Sequence, residues 1–308
     1  MKQVSKDKDN RRVAIIDIGS NTFHLMIVDL SPSTKQFQLI HRERKFVYLA
    51  KDGIDLLSED TMDRGVANIT ELLDLCKLHK VDVIRAAGTA ALRSADNADL
   101  FVQKIRSLHN LEIEIISGQR EGELIYKGIA FSGINMTKPS LIVDIGGGSV
   151  EFIIVSNDNI VFNSSYNIGI SQLRHQFKNN DPISEDDIRL IYSHLDGVIS
   201  EFLNQAIEHN VEVIIGASGP FEIIESMCEV DIQRHTLTTK DVVLDIIDDV
   251  IHLPLQERKE IPLMPADRAD LSVESLLIIK YLLRRIQSLQ GVIISQYALK
   301  EGLISEMI

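Results

Sequence analysis

Apolar residues in this chain gather into short runs that end in an acidic residue and a turn of small residues. Val13-Ala-Ile-Ile runs into Asp17-Ile-Gly19-Ser20-Asn21, and Thr22-Phe-His-Leu-Met-Ile-Val leads away to Asp29. The design returns at Leu141-Ile-Val-Asp144-Ile-Gly146-Gly147-Gly148-Ser149, followed by Val150-Glu151-Phe-Ile-Ile-Val155. Apolar runs of this length bounded by turn residues read as strands. Each copy therefore predicts a strand, a tight turn and a second strand.

The segments after each hairpin repeat as well. After the first come a β-rich stretch over Gln36 to Leu49, a helix from Glu59 to His79, and a strand from Val81 to Ala87. A helix over Ala98 to Leu108, a strand over Glu112 to Ile116 and a helix from Gln119 complete the set. After the second come a strand from Ile160 to Asn167, helices between Gly169 and His209, and a strand from Val211 to Ile215. Further helices run to Arg285, then a short strand over Gly291 to Ile294 and a closing helix from Tyr297. The expected fold class is α/β: two duplicated domains with mixed sheets flanked by helices and a cleft between them. Gly133, Asn135 and Pro139 break the pattern near Ser132 to Lys138. The domains are expected at 1–133 and 134–308, with helix 297–308 packing back against the first.

Composition narrows the class. Of 308 residues, 44% are hydrophobic and 5% aromatic with no Trp, so the cores must be built from Ile, Leu, Val and Ala. A formal charge of −13 argues against a general nucleic-acid or membrane-surface binder, because such proteins present basic faces. An anionic substrate stays admissible where basic residues gather. Cys76 and Cys228 lie in apolar helical patterns with no metal-ligand spacing and read as buried thiols of a reducing compartment. Met1 to Arg12 is polar, without the apolar segment of a secretory signal. The longest apolar stretch, Leu276 to Leu283, is interrupted by Lys280 and is too short to span a bilayer. No membrane partner and a cytoplasmic location are expected.

The hairpins carry the candidate chemistry. Glycine removes the side chain that would hold an anion away from the backbone, and successive N–H groups can then converge as an anion-binding nest. Gly19, Ser20 and Asn21 in one turn, and Gly146, Gly147, Gly148 and Ser149 in the other, are the expected phosphate-binding residues. Asp144 and Asp17 close the first strand of each hairpin and are the expected holders of magnesium, which takes oxygen ligands and keeps most of its waters. Glu151 lies two positions beyond Ser149 on one strand face, placed to hold the metal's waters or orient a nucleophile. A lone Asp-X-Gly turn would be weak support, since both are ordinary turn residues. Two copies at one place in a duplication are stronger. Neither is a Walker loop, as no Gly-Lys-Ser/Thr follows the glycines.

The two motifs Asp17-Ile-Gly-Ser-Asn-Thr-Phe-His24 and Asp144-Ile-Gly-Gly-Gly-Ser-Val-Glu151 resemble the phosphate motifs of the exopolyphosphatase and guanosine-pentaphosphate phosphohydrolase (Ppx/GppA) family. The resemblance continues through Gly88-Thr-Ala-Ala-Leu-Arg93, Ile116-Ser-Gly-Gln-Arg-Glu121-Gly-Glu-Leu-Ile-Tyr126 and Gly216-Ala-Ser-Gly219-Pro-Phe-Glu. It also takes in Pro265-Ala-Asp-Arg268-Ala-Asp270 and Ser295-Gln-Tyr-Ala-Leu-Lys-Glu-Gly302, in the expected order over nearly the whole chain. It implies ribonuclease-H-like domains of the actin-like ATPase superfamily, in the short two-domain form. It implies Glu121 as the base that activates the attacking water and Arg93 as a phosphate contact. A homodimer is the expected assembly. Arg120 stands where that family usually has an acidic residue, which puts a carboxylate pair there in doubt and makes Arg120 a further candidate phosphate contact.

Other positions read more plainly. His24 is expected to pack, Arg268 and Asp270 to form a structural ion pair, and Asp245, Asp248 and Asp249 to lie on a solvated helix face. Lys45 and Arg44 are candidates for an entrance, with Tyr48 where a basic residue is usual, and Gly216 to Gly219 is the candidate relic of a nucleotide loop. The favoured function is release of terminal phosphate from inorganic polyphosphate. Hydrolysis of guanosine pentaphosphate (pppGpp) and a non-catalytic actin-like sensing module are the alternatives.

Overall fold

The protein is described by a computed structural model over residues 11–51, 53–228, 235, 237–262, 264 and 268–308. Met1 to Asn10 of the expected tail, and Pro265-Ala-Asp of one family-like motif, lie outside the described residues. By its contacts the chain forms two units, one of residues up to Ser117 joined by Leu299–Ile308, the other of Gly118–Ala298.

The first unit contains β1 (Arg11–Ile18), β2 (Thr22–Ser31), β3 (Gln36–Phe46), α1 (Glu59–Leu78), β4 (Val83–Gly88), α2 (Ala90–Ser94), α3 (Ala98–His109) and β5 (Ile113–Ile115). Its sheet has the order β3-β2-β1-β4-β5, with β1–β3 an antiparallel meander and β4 and β5 added in parallel. The continuous apolar run in β1 is explained by its central position, where both faces are covered. Ala14, Ile16 and Ile18 join Ile69, Leu72, Phe101 and Ile105 of α1 and α3 in one core. Val13 and Ile15, equally buried, lie on the opposite face by strand alternation. The helix α1 starts where Ser58 accepts a bond from Thr61 N, with Glu59 and Asp60 in the first turn.

The second unit contains α4 (Gly118–Phe131), β6 (Ser140–Ile145), β7 (Val150–Ser156), β8 (Asn159–Tyr166), α5 (Ile170–Phe177), α6 (Glu185–Val198) and α7 (Ser200–Glu208). It continues with β9 (Val213–Gly216), α8 (Gly219–Met227), β10 (Thr238–Thr239), α9 (Lys240–Ile251), α10 (Leu255–Glu260), α11 (Ser272–Arg285) and β11 (Gly291–Ile294). The order β10-β11-β9-β6-β7-β8 repeats the meander and the two parallel strands of the first sheet and adds the two-residue β10. Each unit thus has the ribonuclease-H-like strand order, a three-stranded meander extended by parallel strands. The helix α11 is buried over Ser272 to Leu283, its polar residues in that stretch included. Its one buried cation, Lys280, pairs with Asp248 of α9, whose side chain stays partly exposed on a face shared with the exposed Asp245 and Asp249.

The last helix, α12 (Leu299–Ser305), belongs to the first unit and packs on β1. Glu301 is 1% exposed and is held by Arg42 of β3 at 3.0 Å. Arg85 binds Glu306 at 3.1 Å, and Arg11 donates to Met307 O at 3.2 Å. The division between units falls at Ser117/Gly118, ahead of the expected 133/134. The cause is α4, which packs on β7 and β8 of the second sheet. No helix among the described residues is long and apolar enough to cross a membrane.

Candidate active site

Both hairpin turns close in the same way. Gly19 N donates to Thr22 O at 3.0 Å, and Gly146 N donates to Ser149 O at 2.9 Å. In the second unit the loop carbonyls then receive the start of α5. Ile170 N donates to Gly146 O (3.0 Å), Ser171 N to Gly147 O (2.9 Å) and Gly169 N to Gly148 O (3.2 Å). These peptides are trans, so each carbonyl and the N–H that follows it point in opposite directions. The N–H groups of Gly147, Gly148 and Ser149 therefore face away from α5, as a nest for an anion requires. A side chain at Gly169 would sit 2.5 Å from Gly147 O, so only glycine lets α5 approach this closely.

The loop of the first unit is held from the segment after β3. Ala50 N donates to Ser20 O (3.1 Å), and Val47 N and Tyr48 N donate to Asn21 O (2.9 and 2.8 Å). The N–H of the peptide that follows Ser20, that of Asn21, is thereby turned to the opposite side. Ser20 is 4% exposed, and its hydroxyl has no hydrogen-bond partner among the described residues. Buried hydroxyls are normally satisfied, and an anion oxygen in this loop would satisfy this one. Arg93 lies in the short α2, a helix absent from the expected elements, and its Nη1 donates to Ile116 O at 3.0 Å.

The sheet registers set up one polar row in each unit. In the first, Asp17 is opposite His24, and His24 is opposite Arg44. In the second, Asp144 is opposite Glu151, and Glu151 is opposite Ser165. Directly paired residues share a face with Cβ atoms about 4.5–5.5 Å apart. The duplication has kept the aspartate and changed its neighbours, to His and Arg in one row and to Glu and Ser in the other.

Glu151 is 2% exposed, and its Oε1 accepts from Ser149 Oγ at 2.6 Å and Ser165 Oγ at 2.7 Å. Ser149 thus offers the loop its N–H while its hydroxyl is given to Glu151. Ser165 is not among the expected site residues: it is a polar residue in an edge strand, and only pairing between β7 and β8 gives it a role. Glu121 lies in the first turn of α4 and is 7% exposed. That turn rests flush on β8. A Cβ on Gly118 would meet Ser165 Cβ at 2.3 Å, one on Gly122 would meet Asn163 Oδ1 at 2.1 Å, and Asn163 Nδ2 donates to Gln119 O at 2.7 Å. The turn that carries Glu121 therefore touches the serine that holds Glu151.

Two observations bear on a metal. Like charges directly opposite across a strand pair repel, so Asp144 and Glu151 fit a bound cation. In the first unit, burial pushes the Asp17 carboxyl up, Lys300 of α12 draws it down, and Glu301 raises it. A cation there would offset the same burial cost. Among the described residues no group of three or more His, Cys, Asp or Glu side chains gathers as a metal centre. The residues suit an ion held by one or two carboxylates, as magnesium commonly is beside substrate phosphates.

The expected pair of Arg268 and Asp270 is not formed. Arg268 binds Glu222 at 2.9 Å, and Asp270 binds Arg174 at 2.9 Å, so they do not pair with each other. Residues 269–271 form a 3-10 turn that sends the two side chains to separate partners. Lys45 is paired with Glu71 of α1 at 2.9 Å, and Arg44 lies 5.4 Å from the centre of the Phe46 ring. Arg120 reaches Glu123 at 3.5 Å. His24 Nε2 is 2.9 Å from Thr22 Oγ1.

Comparison with known proteins gives a consistent picture. The sequence matches the Ppx/GppA phosphatase family over residues 27–308. It is 29% identical to the guanosine-5'-triphosphate,3'-diphosphate pyrophosphatase of Pseudoalteromonas atlantica, over 96% of this chain and 58% of that protein. The corresponding Vibrio cholerae protein is 27% identical, over 96% of this chain and 59% of that protein. The chain thus spans less than two thirds of these curated relatives. Among solved structures, an exopolyphosphatase from Cytophaga hutchinsonii superposes with a TM-score of 0.87 at 30% identity, covering 96% of this chain and 97% of that one. The Aquifex aeolicus Ppx/GppA family member gives 0.78 at 25% identity, covering 97% and 98%.

Proposed function

The chain belongs to the Ppx/GppA phosphatase family, and on that premise we propose that it releases terminal orthophosphate from inorganic polyphosphate by attack of water on a phosphoanhydride bond. The observation that carries this reading is the row Asp144–Glu151–Ser165 beside the loop Gly146–Ser149, with Glu121 on the turn that rests against Ser165. The loop N–H groups take the oxygens of the terminal phosphoryl group. Such fixed donors stabilise charge that develops in the transition state without reorganising. Glu121 accepts the proton of the attacking water, a task for a positioned base within hydrogen-bond reach. Glu151, fixed by two serine hydroxyls, orients that water. Gly19, Ser20, Asn21 and Arg93 of the first unit are phosphate contacts, where a guanidinium suits paired phosphate oxygens.

Asp144 and Asp17 are the residues that would hold magnesium, which when bound neutralises phosphate charge. The protein's own charge of −13 requires that polyphosphate be held by local groups. Binding therefore weakens as salt rises, with screening over about 10 Å at 0.1 M.

The exopolyphosphatase reading is favoured by the Cytophaga hutchinsonii protein, matched over nearly its full length. The second reading, a pppGpp phosphohydrolase, rests on the names of the curated relatives. Orthophosphate release at fixed magnesium from short polyphosphate, long polyphosphate and pppGpp decides between them. Short polyphosphate is expected to turn over fastest. Faster release from pppGpp would promote the second reading, and release from none would overturn both.

A further inference from the structure

The phosphate loop Gly146–Ser149 is closed by its own bond from Gly146 N to Ser149 O and is also held from outside. Three of its carbonyls are bonded to the amides of Gly169, Ile170 and Ser171, so the direction of its outward-facing N–H groups depends on the start of α5. That helix has eight residues, too few to hold itself in water. Ile170 and Leu173 anchor one side in the core. Arg174, a turn beyond Ile170, ties the helix to the elements beside it.

Arg174 Nη1 binds Asp270 Oδ2 at 2.9 Å, Nη2 reaches Asp270 Oδ1 at 3.3 Å, and Nε donates to Glu274 Oε1 at 3.3 Å. Its Nη2 also donates to the Asp270 carbonyl. Glu274 is the buried partner, and Asp270 is a half-exposed one carried on a braced turn. Glu274 is a 3% exposed residue of α11. Asp270 lies in a 3-10 turn whose Ala269 O accepts from Arg258 Nε at 3.2 Å, and Arg258 is 2% exposed and paired with Asp181 at 2.8 Å. A fork bonded in this way fixes direction as well as distance.

We propose that Arg174 is a positioning residue for the phosphate loop, acting through α5, with Asp270 and Glu274 as its fixed anchors. It acts without touching substrate. Its effect is to keep the amides of Gly169, Ile170 and Ser171 on the loop carbonyls, and so the loop N–H groups on the phosphate. The inference rests on the phosphohydrolase reading for its kinetic consequence but not for the clamp.

The test compares Arg174→Ala, Arg174→Lys and Asp270→Asn with Lys280→Met, which breaks a different ion pair of the same unit. Two readouts are needed. Hydrogen exchange of the 169–171 amides should quicken at least about tenfold in Arg174→Ala and Asp270→Asn, and remain as in the wild type in Lys280→Met. The KM for short polyphosphate should rise at least about fivefold in the same two variants, with Arg174→Lys intermediate and Lys280→Met unchanged. Unchanged exchange in Arg174→Ala would overturn the clamp. Quickened exchange with an unchanged KM would overturn its role in phosphate binding. A wild-type chain inactive on polyphosphate and pppGpp alike would strike the phosphohydrolase reading, and the exchange rates would still decide the clamp.

Discussion

Ser165→Ala tests whether Glu151 is a working residue or a buried strand carboxylate. The substitution keeps Cβ, so the close packing of Gly118 on Ser165 is preserved, and it removes a single hydroxyl. That hydroxyl donates to Glu151 Oε1 at 2.7 Å, beside the Ser149 bond at 2.6 Å to the same oxygen. A hydrogen bond to a charged acceptor contributes about 1.5–3 kcal/mol. If that restraint is felt fully in the transition state, about 1.36 kcal/mol per tenfold makes the loss in kcat about 10- to 150-fold. The remaining Ser149 bond still restrains the carboxylate, so the low end, about tenfold, is expected for the single variant. Ser149→Ala combined with Ser165→Ala should lose more than either alone. The assay is steady-state orthophosphate release at saturating short polyphosphate, with circular dichroism to confirm the fold. A kcat for Ser165→Ala within twofold of wild type would refute the role given to Glu151.

Asp144→Asn should raise the magnesium concentration for half-maximal activity by at least about tenfold, since even outer groups around a metal cost about 10–100-fold in affinity; an unmoved midpoint would assign the ion to other residues. Phe202→Ala should lower stability by about 3–5 kcal/mol, read by denaturant unfolding, because the ring is fully buried and stacked on Phe152 at 4.1 Å; a loss below about 1 kcal/mol would show that α7 is not a core element.

Much of this is legible in the chain because the decisive features are local. An apolar run ending in Asp and a glycine turn specifies its own hairpin, and two such runs announce the duplication. The helix α12 is likewise visible as a periodic segment, and the residues that hold it, Arg42 and Arg85, lie in strands. The features that escape sequence reading depend on contacts distant along the chain. Ser165 has meaning only through its register with Glu151, 14 residues earlier. The division at Ser117/Gly118 goes with Gly118 and Gly122, whose missing side chains let α4 lie on β8; glycine in a helix gives no such signal by itself. Arg268 and Asp270 are close in sequence, yet the 3-10 turn between them sends each to a partner on another helix. The five-residue α2 is too short to show a period.

Whether a carboxylate on α4 assists the attack of water is decided by Glu121→Gln. Glutamine keeps the shape of a residue that is 7% exposed in the first helical turn, but it cannot take the water's proton. Single-turnover orthophosphate release from short polyphosphate, with substrate binding measured in parallel, separates chemistry from affinity. A rate loss of about 10²–10⁴-fold is expected, with binding close to that of the wild type. Turnover within tenfold of the wild type would contradict it.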